Sequence, residues 1–119
     1  MRLRSIVPSV AALVFAVVPV ARAEDARVIT GLQHLASGPA SCAADNKPLR
    51  LLLGNGIISS MTGNCKGPVK ADGTFDGVCN LTGETLHFSG KAVATTVSLH
   101  TEHVFPNFTC VYDTKLIPE

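Results

Sequence analysis

The sequence predicts a mainly β domain: an antiparallel up-and-down meander of about six to seven strands, forming a small barrel or a half-open sheet, with a short N-terminal helix or strand and two disulfides. Three observations predict it. Turn residues recur about every ten positions from Leu49 onward, which is hairpin spacing rather than helix spacing. The stretches between them are rich in Val, Ile, Thr, Leu and Phe, residues that suit a pleated, half-buried surface. Registers counted outward from the turns keep one face inward, whereas a slip of one residue would turn every side chain over.

Ahead of this domain, Arg2 and Arg4 precede an apolar run from Ile6 to Val20 that ends in Ala21-Arg22-Ala23. A charged start, an apolar middle and a small-x-small end are the layout of a secretory signal peptide, expected to be cleaved after Ala23. The run is about 15 residues, shorter than the ~20 that span a bilayer, and Pro8 and Pro19 interrupt it, so no span is expected after cleavage. The domain is then residues 24–119, and the expected location is secreted or periplasmic. The whole chain has 10 Lys plus Arg and 9 Asp plus Glu, a net charge of +1. Arg2, Arg4 and Arg22 leave with the signal, so 7 positive charges remain against 9 negative and the net charge becomes −2. A chain without clustered positive charge is not a nucleic-acid binder or a polybasic membrane-surface protein.

Taken in order, Val28, Leu32 and Leu35 have helical spacing, with Asp25 as N-cap and Gly38-Pro39 as stop, which predicts a short helix. Val28-Ile29-Thr30 suits a strand as well, and Gly31 weakens the helix. Residues 41–48 read as a loop. Leu49–Leu53 and Ile57–Met61 form a hairpin across Gly54-Asn55-Gly56. A three-residue loop at Ala71-Asp72-Gly73 sets Val69 against Phe75, Gly67 against Gly77 and Cys65 against Cys79. Thr82-Gly83 sets Cys79 against Leu86 and Gly77 against Phe88. Gly90-Lys91, read as a turn, sets Phe88 against Val93 and Leu86 against Thr95. Pro106-Asn107 sets His103 against Cys110, Thr101 against Tyr112, Leu99 against Thr114 and Val97 against Leu116. The expected inner face is Val69, Phe75, Cys79, Leu86, Phe88, Val93, Val97, Leu99, Tyr112 and Leu116. Gly67, Gly77 and Phe88 align across three strands, a bare strip of backbone that an aromatic ring can cover.

Four cysteines in so small a domain predict two bridges. Directly opposed residues lie within disulfide reach, which pairs Cys65 with Cys79 and leaves Cys42 with Cys110. No two cysteines have the short spacing of a structural zinc site, so zinc is the weaker use.

The polar cluster of interest is His100-Thr101-Glu102-His103, with His87 nearby, because histidine and carboxylate together bind transition metals or exchange protons near neutral pH. On a continuing strand, however, His100 and Glu102 share one face while His103 points to the other. No H-E-x-x-H helix or G-x-S-x-G elbow is present, so neither a cofactor nor a catalytic residue is assigned. Asn80-Leu81-Thr82 and Asn107-Phe108-Thr109 match the glycosylation pattern but read as turn chemistry. Phe105 and Phe108 flank Pro106 at a hairpin tip, where they close the end of the core or anchor a partner.

The expected function is a non-catalytic exported binding module for another protein or a small ligand, as an inhibitor or envelope accessory factor, with Phe105, Phe108, His100 and His103 as its surface. Two alternatives stand beside it. One is a metal-binding or hydrolytic protein using His87, His100, Glu102 and His103. The other is a purely structural envelope protein, marked by a sheet edge able to pair with another chain.

Overall fold

A computed structural model describes residues 26–42 and 46–119. The signal-peptide segment 1–23 and the N-cap Asp25 lie outside the described residues. The rest is an all-β antiparallel meander of eight strands, one or two more than the sequence predicts: β1 (Arg27–Ser37), β2 (Lys47–Gly54), β3 (Ile57–Ser60), β4 (Lys66–Pro68), β5 (Thr74–Leu81), β6 (Glu84–Val93), β7 (Thr96–Val104) and β8 (Thr109–Pro118).

The sheet order is β4-β3-β2-β1-β8-β7-β6-β5, so the first strand pairs with the last and the two sheet edges, β4 and β5, come face to face. That pairing requires the N-terminal segment to be a strand, which corrects the helix expected there. Ile29, with no exposed surface, faces the interior, as do Gly31, Gln33 and Leu35 at the same period of two. The apparent helical spacing of Val28, Leu32 and Leu35 mixes the two faces, and Leu32 is half exposed. β2 begins at Lys47, two residues inside the expected loop, and the β2–β3 hairpin turns at Asn55-Gly56, both with positive φ (56° and 73°). That is the conformation of a two-residue type I′ turn.

The seam between β4 and β5 is closed by three devices. The Lys70 amide donates to the Thr74 carbonyl at 2.8 Å across the connecting turn. Within that turn, the Asp72 carboxylate accepts from the Thr74 amide at 2.9 Å and the Thr74 hydroxyl at 2.6 Å, which lowers its pKa. At the other end, Cys65 and Cys79 form a disulfide with their Cα atoms 5.6 Å apart. Between them the Phe88 ring lies over both Gly67 and Gly77. A β-carbon on Gly67 would come 3.3 Å from that ring, and one on Gly77 would overlap it. The second disulfide, Cys42–Cys110, ties the segment after β1 to β8.

The turn read at Gly90-Lys91 is absent. β6 runs on to Val93, and the chain turns at Ala94-Thr95 with Ala94 at φ 55°. Phe88 therefore faces Thr101 rather than Val93, and Leu86 faces His103 rather than Thr95. Val93 points outward and is 60% exposed, so it leaves the inner face. Gly90 lies within β6, and the position takes glycine because a β-carbon there would strike the Ser98 carbonyl and the Phe75 ring. The expected β5–β6 and β7–β8 registers are present, including Cys79 opposite Leu86, His103 opposite Cys110 and Val97 opposite Leu116. Asn107 sits in the β7–β8 turn, whereas Asn80 lies within β5 opposite Thr85.

The core of Ile29, Ile58, Phe75, Val97, Leu99 and Leu116 fills the end of the barrel bearing the Asn55-Gly56, Ala71–Gly73 and Ala94-Thr95 turns. Apolar burial at this end supplies the main driving force. The opposite end, bearing the turns after β1, β3, β5 and β7, is not filled.

Candidate functional site

Along several strands the inward residues become smaller or more polar toward this unfilled end. β7 runs Val97, Leu99, Thr101, His103; β1 runs Ile29, Gly31, Gln33; β3 runs Ile58, Ser60. Side chains of this size do not meet across an eight-stranded barrel, whose interior is just wide enough to be filled or to hold one small ligand. The result is a partly open cavity of about 280 Å³. Ile58 and Leu99 form its floor, Leu49, Leu51, Leu81, Leu86 and Phe88 its apolar walls, and Gln33, Ser60, Thr101 and His103 its polar points.

The β3–β4 loop forms one side of the mouth and is held by its own hydrogen bonds. The Ser60 amide donates to the Cys65 carbonyl at 2.8 Å, the Cys65 amide to the Ser60 hydroxyl at 3.2 Å, and Ser60 and Thr62 share a hydroxyl contact at 3.3 Å. The disulfide at Cys65 anchors the same loop to β5. Opposite it, His103 donates from Nδ1 to Glu84 Oε1 at 2.6 Å, and its ring meets Tyr112 edge-on with centroids 5.4 Å apart. Both side chains of the His103–Glu84 pair are mostly buried, at 25% and 20% exposure. Thr101 is buried at the cavity wall, and its hydroxyl has no hydrogen-bond partner among the described residues; the Thr114 hydroxyl is likewise buried and without a described partner but lies away from the cavity.

The histidine cluster expected from the sequence is divided between the two faces of the sheet. His103 faces the interior, while His100 faces out, with Nδ1 2.8 Å from Asp113 and Nε2 3.2 Å from Glu102. Both ring nitrogens donate only in the imidazolium form, so the two carboxylates raise the His100 pKa. His87 is exposed on the outer face, opposite Glu102, and His34 lies opposite Asp113. Among the described residues no group of three or more His, Cys, Asp or Glu side chains is placed to hold a metal ion. Phe105 and Phe108 stack on each other with centroids 4.7 Å apart, half-buried, at the β7–β8 tip on the same end as the cavity mouth.

Thr101, Gln33 and Ser60 are not among the site residues expected from the sequence. The signal for Thr101 and His103 was already in the β7–β8 register, since residues alternating with Leu99 face inward whatever their polarity. Comparison with family models finds no match, and neither the curated proteins nor the solved structures include a match to this chain.

Proposed function

We propose that this protein is an exported, disulfide-stabilised, non-catalytic binding module that holds one small, mainly apolar molecule in the unfilled end of its barrel. The observation that carries this reading is the cavity itself, walled by leucines and Phe88 with a few polar points, which is the usual make-up of a small-molecule site. Its volume lies near the lower limit of such sites, roughly 300 Å³, which favours a small ligand. A non-catalytic role is supported by the hydroxyls at the mouth. Ser60 and Thr62 bond to each other and to loop backbone, and no described hydroxyl bonds to His103, so no nucleophile and base are paired. Export is supported by two disulfides, which persist in oxidising compartments, and by the signal-like pattern of residues 1–23.

The reading is tested by titrating naphthalene into the purified protein and following its fluorescence. Saturable one-to-one binding is expected, weakened at least about tenfold by Leu86→Trp, which fills the cavity from its wall. Absence of saturable binding, or binding indifferent to Leu86→Trp, overturns it. A protein partner is the second reading. It rests on the Phe105–Phe108 stack and is favoured if Phe105→Ala with Phe108→Ala abolishes a pull-down that Leu86→Trp leaves intact.

A further inference from the structure

We propose that the ligand of this cavity is an uncharged, hydrocarbon-like molecule with a single oxygen function, an alcohol, phenol or ketone, anchored at that oxygen by Thr101. The inference rests on the reading of the cavity as a ligand site. Size comes first. A dry cavity of about 150 Å³ takes benzene, so 280 Å³ takes a molecule of about two fused rings or a branched hydrocarbon of similar bulk.

Charge comes second. Among the described residues no lysine or arginine lines the cavity. The described side chain there that can become cationic, His103, is already bonded to the mostly buried carboxylate of Glu84. An anionic ligand would enter without a counter-ion and beside a carboxylate, and a buried charge without a partner is strongly disfavoured. A cationic ligand would have to compete with His103 for Glu84, and among the described residues Phe88 is the only aromatic side chain on the cavity wall other than His103, too few for an aromatic cage.

Recognition comes third. Thr101 is 6% exposed and its hydroxyl has no partner, at a wall otherwise made of Leu86, Phe88 and Leu99. Valine would fill that position with the same shape and no orphaned polar atom. In the empty cavity Oγ1 is itself closed off, but the residue lines the cavity, and one step of χ1 to the next staggered position carries Oγ1 to the place the methyl holds, so the hydroxyl can be turned to a ligand. A threonine hydroxyl both donates and accepts, so it pairs with a neutral oxygen of either kind. Thr114 is the internal control, because its hydroxyl is equally orphaned but does not reach the cavity.

The test compares naphthalene, 2-naphthol and 2-naphthoate as probes of the whole protein at neutral pH. Binding of 2-naphthol about tenfold tighter than either of the others is expected, the effect of one hydrogen bond of ordinary strength. Thr101→Val is expected to make 2-naphthol equal to naphthalene without weakening naphthalene, Thr101→Ser to keep the preference, and Thr114→Val to change neither. Equal binding of naphthalene and 2-naphthol by the native protein, or a preference that survives Thr101→Val, overturns the anchor and leaves the cavity reading standing. Tightest binding of 2-naphthoate overturns the neutral-ligand assignment. Failure of all three probes to bind overturns the cavity reading, and this inference with it.

Discussion

The two ends of the barrel are built from the same eight strands and the same inward alternation, yet one is solid and the other hollow. At the solid end, Ile29, Phe75, Val97 and Leu116 are each at most 2% exposed. At the hollow end, the same strands present Gln33, Leu81, Leu86, Thr101 and His103, and they enclose space instead. Packing that would stabilise the fold has been left out at the hollow end, while the mouth there is braced by the Cys65–Cys79 disulfide, the Ser60–Cys65 hydrogen bonds and the His103–Glu84 pair. A rigid rim around an unfilled interior is the arrangement of a preformed site, because a ligand then enters without a cost for ordering its walls.

The largest expected effect separates the two ends directly. Phe75→Ala is expected to cost about 3 to 5 kcal/mol, as for other buried phenylalanines. Leu86→Ala, which enlarges a space that already exists, is expected to cost roughly 1 to 2 kcal/mol. Urea denaturation of both variants checks this, and equal costs would mean that the hollow end is packed as tightly as the solid one. Next in size is the seam. Gly77→Ala drives a β-carbon into the Phe88 ring and is expected to cost about 1 to 3 kcal/mol. Phe88→Leu in the same chain should recover part of that loss, so a double-mutant cycle in which the two costs simply add would show that the ring does not close the seam.

The smallest effect is electrostatic and lies on the outer face. Asp113 and Glu102 raise the pKa of His100, and His34, His87 and Ser89 flank the group on the neighbouring strands. A raised histidine pKa means that its stabilising contribution is fully present below the unfolded value of 6.5 and is lost as pH rises through the folded value. His100 is 43% exposed, so the contribution should be that of a surface pair, roughly 0.2 to 1 kcal/mol. Measured against His100→Asn, the native protein should lose this advantage on going from pH 6 to pH 9. An advantage that grows with pH would contradict the arrangement.

Most of the fold was legible in the sequence, and the parts that were not have physical reasons. Cys65 opposite Cys79 and the β5–β6 and β7–β8 registers follow from turns with glycine, aspartate or proline at their proper places. The turn at Ala94-Thr95 carries no such residue, and the nearby Gly90 imitated one while serving the approach of Phe75. The helix expected over β1 rests on Val28, Leu32 and Leu35, whose spacing mixes the two faces of a strand, while the pairing with β8 that makes this segment a strand joins the two ends of the domain. Of the candidate site, His103 was legible as a residue but not as a cavity wall. Whether inward side chains meet depends on how far the sheet closes, and closure is decided by the β4–β5 seam, whose residues lie far from His103 in sequence.

Methyl and amide NMR of the native protein titrated with naphthalene tests the division of the barrel most directly. Shifts confined to Leu51, Leu81, Leu86, Leu99, Thr101 and His103, with Phe75, Val97 and Leu116 unmoved, are predicted. Shifts scattered over outward residues such as Leu32, Val78 and Ile117, or none at all, would contradict a hollow end built to receive a ligand.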